Sequence, residues 1–288
     1  MILSGSGSRS SPLSGWFSPV RNRGGTENPY AVPGLGRYAL LPGDPDRVAR
    51  MAAQWDDGVQ QYDLNRGFRA AVGTYHGAKL AAMSTGIGGA SLENPFMGLA
   101  MQGVDTFIRV GTTGTLQADI AVGDLIINDA CVRLDGLSPL YVRPEYPAAA
   151  DSVVTLALIQ AAETLGVPYH VGTGCTACSY YAGQSRPGFN GYLRADAQAS
   201  FDDLKNARVL NYEMEAAALL TLSRLYGFRA GMCAAVVANR ITGEFDGSRG
   251  QEEACLVGAE AVRILTEWDA LAKAAGRTRF TPDLLLKK

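Results

Sequence analysis

Short β-rich runs alternate with longer segments of helical periodicity along most of this chain, and this alternation constrains its fold more than any other feature. The runs "TFIRV" and "DLIIND" are typical of buried strands, whereas "DSVVTLALIQAAETLG" has the apolar spacing of a helix. Such alternation predicts an α/β fold. No internal repeat or Gly/Pro/Ser-rich linker interrupts residues 37–275, so we expect one domain over residues 29–288.

The first 28 residues differ from the rest in composition. They are rich in Ser, Gly, Pro and Arg and contain no acidic residue before Glu27. This composition predicts a disordered N-terminal tail, with organelle targeting as the alternative interpretation.

The composition of the chain argues against several classes of binding partner. The chain has a net charge of -2 and a pI near 5.8, which argues against nucleic-acid binding, and no apolar run approaches the roughly 20 residues that cross a bilayer. Its five cysteines are an odd number, so we expect free thiols and a cytoplasmic, reducing environment. The isolated motif "CTAC" is weak support for a metal or redox site, and we expect neither a metal nor a cofactor.

Two glycine turns that carry arginines follow predicted strands. In "LPGDPDRV", Gly43 and Pro45 predict a helix start whose backbone amides suit an anion. Arg47, in the first turn of that helix, needs a negative partner, for which Asp44 or Asp46 is the structural alternative.

In "TFIRVGTTGTLQ", Arg109 interrupts an apolar strand just before Thr112 and Thr113. A guanidinium beside hydroxyls and free turn amides matches the needs of phosphate oxygens. A third glycine turn, "STGIGGAS", does not fit a dinucleotide fingerprint because Ser91 stands where a glycine is required.

Two further stretches place polar groups beside apolar ones. In "SYYAGQSRPG", Gln184 and Arg186 could hydrogen-bond a base edge while Tyr180 offers a ring face, although Gln and Arg in a loop are usually just solvated. In "NYEMEAAAL", Glu213 and Glu215 begin a very apolar helix. They are either a first-turn pair favoured by the helix dipole or a site for a polyol or cation.

Taken together, these motifs resemble the nucleoside phosphorylase superfamily in both order and spacing. The resemblance covers about residues 38–265 and is strongest to the uridine-cleaving members. It rests on "LPGDPDRV", "STGIGGAS", "IRVGTTGTLQADIAVGD", "VRLDGLSPLY", "YYAGQSR" and "NYEMEAAAL". It implies a three-layer α/β/α sandwich around a mixed, partly barrel-like sheet. It also implies a homodimer as the minimum active unit, possibly extended to a hexamer.

The resemblance assigns roles to individual residues. It implies a phosphate site of Gly43, Arg47, Arg109 and Thr112, completed by Arg66 from a neighbouring subunit. It implies that Glu215 binds the ribose hydroxyls, with Met214 against the sugar and Glu213 at the pocket edge. It implies that Gln184, Arg186, Tyr180 and Arg240 form the base site. Inorganic phosphate is then a substrate, and no cofactor is implied.

The same comparison indicates a pyrimidine rather than a purine substrate. Purine-specific relatives carry a Ser-Asp pair whose carboxylate helps to protonate the base, whereas this chain has Ala238 and Asn239 there. The expected reaction is phosphate-dependent cleavage of uridine, with deoxyuridine and thymidine as further candidates, in pyrimidine salvage. The alternatives are a purine phosphorylase, a nucleosidase that uses water, and a non-catalytic nucleoside-binding protein.

The chain departs from the family pattern at several positions. It lacks the N-terminal histidine that often binds the ribose 5′-hydroxyl, and offers Asn28 or Tyr30 instead. Gly67 replaces a glutamate that binds potassium in some relatives, so we do not expect potassium. Met97 and Gly98 replace acids near the phosphate arginines.

Overall fold

The structure is a computed structural model that describes residues 28–286. Residues 1–27, which make up nearly all of the predicted tail, therefore lie outside the described residues. The strands are β1 Tyr38–Leu41, β2 Gln60–Asp63, β3 Arg69–Tyr75, β4 Ala78–Met83, β5 Thr106–Thr115, β6 Leu125–Leu134, β7 Ala148–Ala149, β8 Tyr169–Ala177, β9 Asn211–Glu213 and β10 Arg229–Asn239. The α-helices are α1 Pro45–Ala52, α2 Gly89–Ala100, α3 Ser152–Leu165, α4 Ala197–Asn206, α5 Ala216–Leu225 and α6 Gln251–Ala274.

The strands form one mixed sheet that partly closes on itself. Its order is β10-β6-β8-β9-β5-β1-β4-β3-β2, and β10 also pairs with β5. Strands β5, β10, β6, β8 and β9 therefore form a closed ring, from which β1, β4, β3 and β2 extend as an open sheet. The predicted mixed, partly barrel-like sheet is confirmed.

Helices cover both faces of the sheet. One core cluster unites residues of α1, α3 and α6, and another unites residues of α2 and α5. Along β1, Tyr38 and Leu40 belong to the first cluster, whereas Ala39 and Leu41 belong to the second. Because successive side chains of a strand point to opposite faces, this central strand is buried on both sides and is apolar throughout.

Local signals explain where the helices begin and end. Helix α1 begins at Pro45, as predicted, and the side chain of Asp44 caps it by accepting a hydrogen bond from the amide of Asp46. Helix α3 begins after Asp151, whose carboxylate accepts from two amides of the first turn, and it ends at Gly166 in a left-handed conformation.

The parallel strands determine the position of the ligand crevice. Strands β1, β5 and β10 are parallel to one another, so their carboxyl ends meet at one edge of the sheet. In the described part of the chain, no helix combines the length and apolarity needed to span a bilayer.

Candidate active site

A cavity of about 600 Å³ opens at the carboxyl ends of β1, β5 and β10. Ten of the twelve residues predicted for the site line it, and only Arg66 and Arg240 do not. The ten are Gly43, Arg47, Arg109, Thr112, Tyr180, Gln184, Arg186, Glu213, Met214 and Glu215. Residues that are distant in sequence and belong to four separate motifs therefore share one cavity.

Arg47 is buried and has no acidic partner among residues 28–286. Its Nη1 donates to the carbonyl of Val110 at 3.3 Å and its Nη2 donates to Gln251 at 3.0 Å, while its buried Nε finds no hydrogen-bond acceptor in the described chain. Burial lowers the pKa of Arg47, and the charge of Arg109 contributes to the decrease. A buried cation of this kind is costly until an anion binds beside it.

The two acids that could have neutralised Arg47 are paired with other arginines. Asp44 forms an ion pair with Arg50 at 3.1 Å, and Asp46 forms one with Arg69 at 2.5 Å. The structural alternative considered for Arg47 is therefore not realised in the described chain.

Arg109 bridges two carboxylates that lie just before α5, Glu213 at the end of β9 and Glu215 at the N-cap of the helix. Its Nε lies 2.8 Å from Glu213 and its Nη2 lies 2.5 Å from Glu215. Desolvation by burial opposes the charged form, but the carboxylates of Glu215 and Glu213 outweigh it and raise the pKa of Arg109. Arg109 is therefore held in place as a permanent cation at the cavity wall.

The acceptor capacity of Glu213 is used within the protein. One carboxylate oxygen accepts hydrogen bonds of 2.8 Å from Arg109 and from the amides of Glu215 and Ala216, and the other accepts from the hydroxyl of Thr176. Two of these bonds satisfy amides at the start of α5. Glu213 thus corresponds to the helix-dipole interpretation and also orients Arg109.

Glu215 keeps acceptor capacity for a ligand. One of its oxygens accepts from the amide of Gly88 and the other meets Arg109, whereas a carboxylate offers about four lone-pair sites. Burial and the neighbouring charge of Glu213 raise the pKa of Glu215 against the opposing effect of Arg109. A buried carboxylate with spare acceptors suits a polyol. Glu213 therefore fits the helix-dipole interpretation, and Glu215 fits the interpretation as a polyol site.

The glycine turns allow the backbone to come close around these side chains. A Cβ on Gly43 would lie 3.1 Å from the carbonyl oxygen of Gly86, and one on Gly86, which has a φ of +69°, would lie 2.3 Å from Ser91 Oγ. The hydroxyl of Thr113 is engaged by Tyr212 and Asn211. Thr112, whose side chain is half-buried, faces the cavity instead.

Gln184 and Arg186 lie in the loop that follows β8. Gln184 is 4% exposed and ends a short 3-10 turn. The guanidinium of Arg186 lies 4.5 Å from the ring centroid of Tyr180, and its buried Nε has no hydrogen-bond partner within residues 28–286. A buried amide and an unsatisfied guanidinium nitrogen could bind carbonyl and imide groups of a base.

Arg240 lies behind this loop rather than in the cavity wall. Its Nη1 donates to the backbone carbonyl of Gln184 at 3.0 Å, and its guanidinium packs 5.0 Å from the ring centroid of Phe201. Burial, with the charge of Arg186, lowers the pKa of Arg240 to about 10. Its contacts in this structure therefore position Gln184.

Arg66 lies in a different cavity of the single chain. It is exposed, has a left-handed φ of 63°, and lines a cavity of about 1320 Å³ together with Tyr30, Met97 and Met101. Asn28, considered for the ribose 5′-hydroxyl, already donates to the Gly98 carbonyl and accepts from the amide of Tyr30, both at 2.9 Å.

Sequence reasoning missed several residues that line the cavity, among them Ile87, Tyr212 and Phe245. Tyr212 could have been found because it directly precedes Glu213. Ile87 could have been found because it lies within the motif "STGIGGAS". No motif pointed to Phe245, which is 72% exposed. Among residues 28–286, no three His, Cys, Asp or Glu side chains come together as a metal site. All five cysteines are free, as predicted, and Cys178 of "CTAC" is exposed.

Comparison with known proteins identifies the family. Residues 37–267 match the phosphorylase superfamily. A uridine phosphorylase of Thermococcus kodakarensis is 52% identical over 250 residues, which is 87% of this chain and 90% of that protein. A uridine phosphorylase of Salmonella typhimurium is 38% identical over 80% of this chain and 90% of its own length. A guanosine phosphorylase of Halorubrum lacusprofundi is 34% identical over 75% of this chain and 83% of its own length. The match over most of the chain, together with the arginine-lined cavity, makes this chain a member of the phosphorylase superfamily.

Proposed function

We propose that this chain is a uridine phosphorylase, a pentosyltransferase that converts uridine and phosphate reversibly to uracil and ribose 1-phosphate in pyrimidine salvage. The observation that carries the proposal is a set of three groups in one cavity. They are an arginine without an acidic partner in the described chain, a carboxylate with spare acceptors, and the buried Gln184 with the half-buried Arg186. These three groups suit phosphate, ribose and uracil, respectively. The two relatives named uridine phosphorylase support the same assignment.

The phosphate end would comprise Arg47, Arg109 and Thr112. Arg47 is the group in the cavity that most needs an anion, and phosphate offers it charge-assisted hydrogen bonds. Arg109 adds a second cation, and the turn around Gly43 lets phosphate approach the backbone closely. Phosphate is the nucleophile in this scheme, so the proposal includes no cofactor and no metal.

The reaction exchanges one bond at the sugar for another. A phosphate oxygen attacks C1′ as the bond between C1′ and N1 of uracil breaks, and the bonding electrons leave with the base. Positive charge grows on the ribose, which the phosphate below it stabilises. Glu215 would accept hydrogen bonds from the ribose hydroxyls and hold the sugar in line, while Met214 packs against it.

The base end would stabilise the leaving group. Negative charge on uracil spreads over its ring nitrogens and carbonyl oxygens, to which Gln184 and Arg186 can donate hydrogen bonds. The guanidinium of Arg186 packs on the ring of Tyr180, and Arg240 donates a hydrogen bond to the backbone carbonyl of Gln184. Deoxyuridine and thymidine present the same base edge and are further candidate substrates.

A purine substrate is the main alternative, and the guanosine phosphorylase relative keeps it open. The geometry of Asn239 argues against it. The Nδ2 of Asn239 donates to the carbonyls of Gln117 and Ile120, and its Oδ1 accepts from the amides of Ile241 and Thr242. An amide whose donors and acceptor are all engaged by the backbone does not serve as an acid for a purine ring.

Ultraviolet-monitored cleavage of uridine, thymidine and inosine, each with and without phosphate, tests the proposal. We expect uracil release from uridine that requires phosphate, and no cleavage of inosine. Cleavage without phosphate would indicate a nucleosidase, cleavage of inosine would overturn the base assignment, and no turnover would favour a nucleoside-binding protein.

The proposed active unit is a homodimer, with a hexamer as a larger assembly, because Arg66 lies outside the cavity of its own chain. In such a dimer Arg66 of one subunit would complete the phosphate site of the other. Mixing Arg66→Ala with Glu215→Gln subunits, each inactive alone, should then restore about one quarter of the wild-type activity by random pairing. Failure of mixed subunits to regain activity would contradict the shared site. The free cysteines are consistent with the cytoplasmic location that we also propose.

A further inference from the structure

A second cavity, also about 600 Å³, lies at the opposite end of the sheet from the candidate active site. Its lining includes Asp105, Arg229 and Ala230, which lie where β5 and β10 begin, and residues of α5 and of the segment after α6. No motif from the sequence analysis falls here, and the proposed reaction does not use it.

The lining of this cavity is strongly cationic although the chain as a whole carries a net charge of -2. Three aspartates accompany six basic residues, which are Arg37, Arg224, Arg229, Lys273, Arg277 and Arg279. A local excess of positive charge in a concave site favours an anionic ligand.

Four of the six basic residues are already paired. Arg229 binds Asp269 through two hydrogen bonds of 2.8 and 2.7 Å. Arg37 pairs with Asp105, Arg279 with Asp151 and Arg277 with Asp283. These ion pairs neutralise most of the positive charge that lines the cavity.

Arg224 and Lys273 are left without an ion pair in the described chain. Arg224 makes one long bond of 3.4 Å from Nη2 to the Ala150 carbonyl. Arg224 is exposed in the last turn of α5, and Lys273 is exposed in the last turn of α6. The unneutralised charge of the cavity is therefore concentrated on these two side chains.

A buried hydroxyl adjoins them. Ser223 precedes Arg224 in the chain, lines the same cavity and is 1% exposed, yet its Oγ has no hydrogen-bond partner among the residues that the structure describes. A buried polar group without a partner in a native fold indicates a missing ligand or water. A hydroxyl, a guanidinium and an ammonium are together the donors that phosphate oxygens accept.

We propose that this cavity is a second ligand site that binds a small sugar phosphomonoester, with its phosphate on Arg224, Lys273 and Ser223. A volume equal to that of the active-site cavity accommodates a sugar as well as the phosphate group. The paired aspartates and Thr278 offer polar groups to sugar hydroxyls.

Equilibrium dialysis of the full chain with ribose 5-phosphate and with inorganic phosphate tests the site. An Arg47→Met background weakens binding at the active site. In this background we expect about one ribose 5-phosphate per chain, and at least tenfold weaker binding after adding Arg224→Gln and Lys273→Gln. Adding Arg208→Gln instead removes an exposed charge outside both cavities and should leave binding unchanged.

Ser223→Ala keeps every charge and should weaken binding several-fold, since it removes one neutral hydrogen bond. Unchanged binding after Arg224→Gln and Lys273→Gln would overturn the site, and equal affinity for ribose 5-phosphate and inorganic phosphate would overturn its assignment to a sugar ester. Uridine cleavage by the Arg224→Gln/Lys273→Gln chain with Arg47 intact should match the wild type, so the site and the proposed function can fail separately.

Discussion

Replacing each glutamate of the "NYEMEA" turn by glutamine should separate stability from activity. Glu213 and Glu215 are similarly buried, at 3% and 4% exposed, and both contact Arg109. The substitution is isosteric, so each variant loses a charge and changes one oxygen to an amide without leaving a cavity.

The expected loss of stability is larger for Glu213→Gln. One oxygen of Glu213 accepts three hydrogen bonds of 2.8 Å, and each should weaken by about 1 kcal/mol when the acceptor becomes neutral, giving about 3 kcal/mol in all. The pKa of Glu215 is raised, which means that the fold disfavours its charge. Glu215→Gln should therefore lower the free energy of unfolding by only about 1 kcal/mol.

The expected loss of activity is larger for Glu215→Gln. Two ribose hydroxyls would lose a charged acceptor, and one of them would face the amide NH2, which cannot accept. A loss of about 3 kcal/mol in transition-state binding corresponds to a roughly 100-fold lower kcat/KM for uridine.

Urea unfolding and uridine cleavage at saturating phosphate measure the two effects on the same preparations. Equal destabilisation of the two variants would refute the division of roles, as would a Glu215→Gln enzyme whose kcat/KM stays within about fivefold of the wild type.

Three further predictions follow from the same geometry. Arg47→Met should raise the KM for phosphate at least tenfold while leaving thermal stability equal or higher. The reason is that an apolar side chain replaces a buried cation that has no acidic partner in the described part of the chain. A large fall in Tm would contradict this. Because the pKa of Glu215 is raised and the ionised form accepts hydroxyls, kcat/KM should fall on the acid side at a pH above the usual range of a glutamate. Between the ordinary pKa of a glutamate and the raised pKa of Glu215, the folded state binds more protons than the unfolded state. The contribution of Glu215 to the free energy of unfolding therefore falls as pH rises through this interval, and Glu215→Gln should flatten the trend in urea titrations. Asn239→Asp should not create inosine cleavage, and it should lower the Tm, because a carboxylate would face the carbonyls of Gln117 and Ile120.

Much of the site could be predicted because its chemistry is local. Gly43 and Gln184 each belong to a short motif in which a polar group adjoins a turn, and the spacing of apolar residues identifies the strand before that turn. The turn predicted directly after Arg109 was wrong, because residues 111–114 continue β5 and pair with β10. Strands β1 and β5 are parallel, so the α/β alternation accounts for the grouping of Gly43 with Arg109 at one edge of the sheet. It does not account for Gln184, because β8, which precedes it, is antiparallel to β5.

The fold class, the family and most of the residue types in the cavity follow from the amino-acid sequence, since these depend on periodicity and on contiguous motifs. The pairing of each acid with a particular arginine became visible only in the three-dimensional arrangement. Asp44 and Asp46 pair with Arg50 and Arg69 and leave Arg47 unneutralised, and the amides of α5 occupy Glu213 while Glu215 stays available. Pairing of this kind depends on distances of a few ångströms between side chains from different elements, and neither residue type nor spacing along the chain contains those distances.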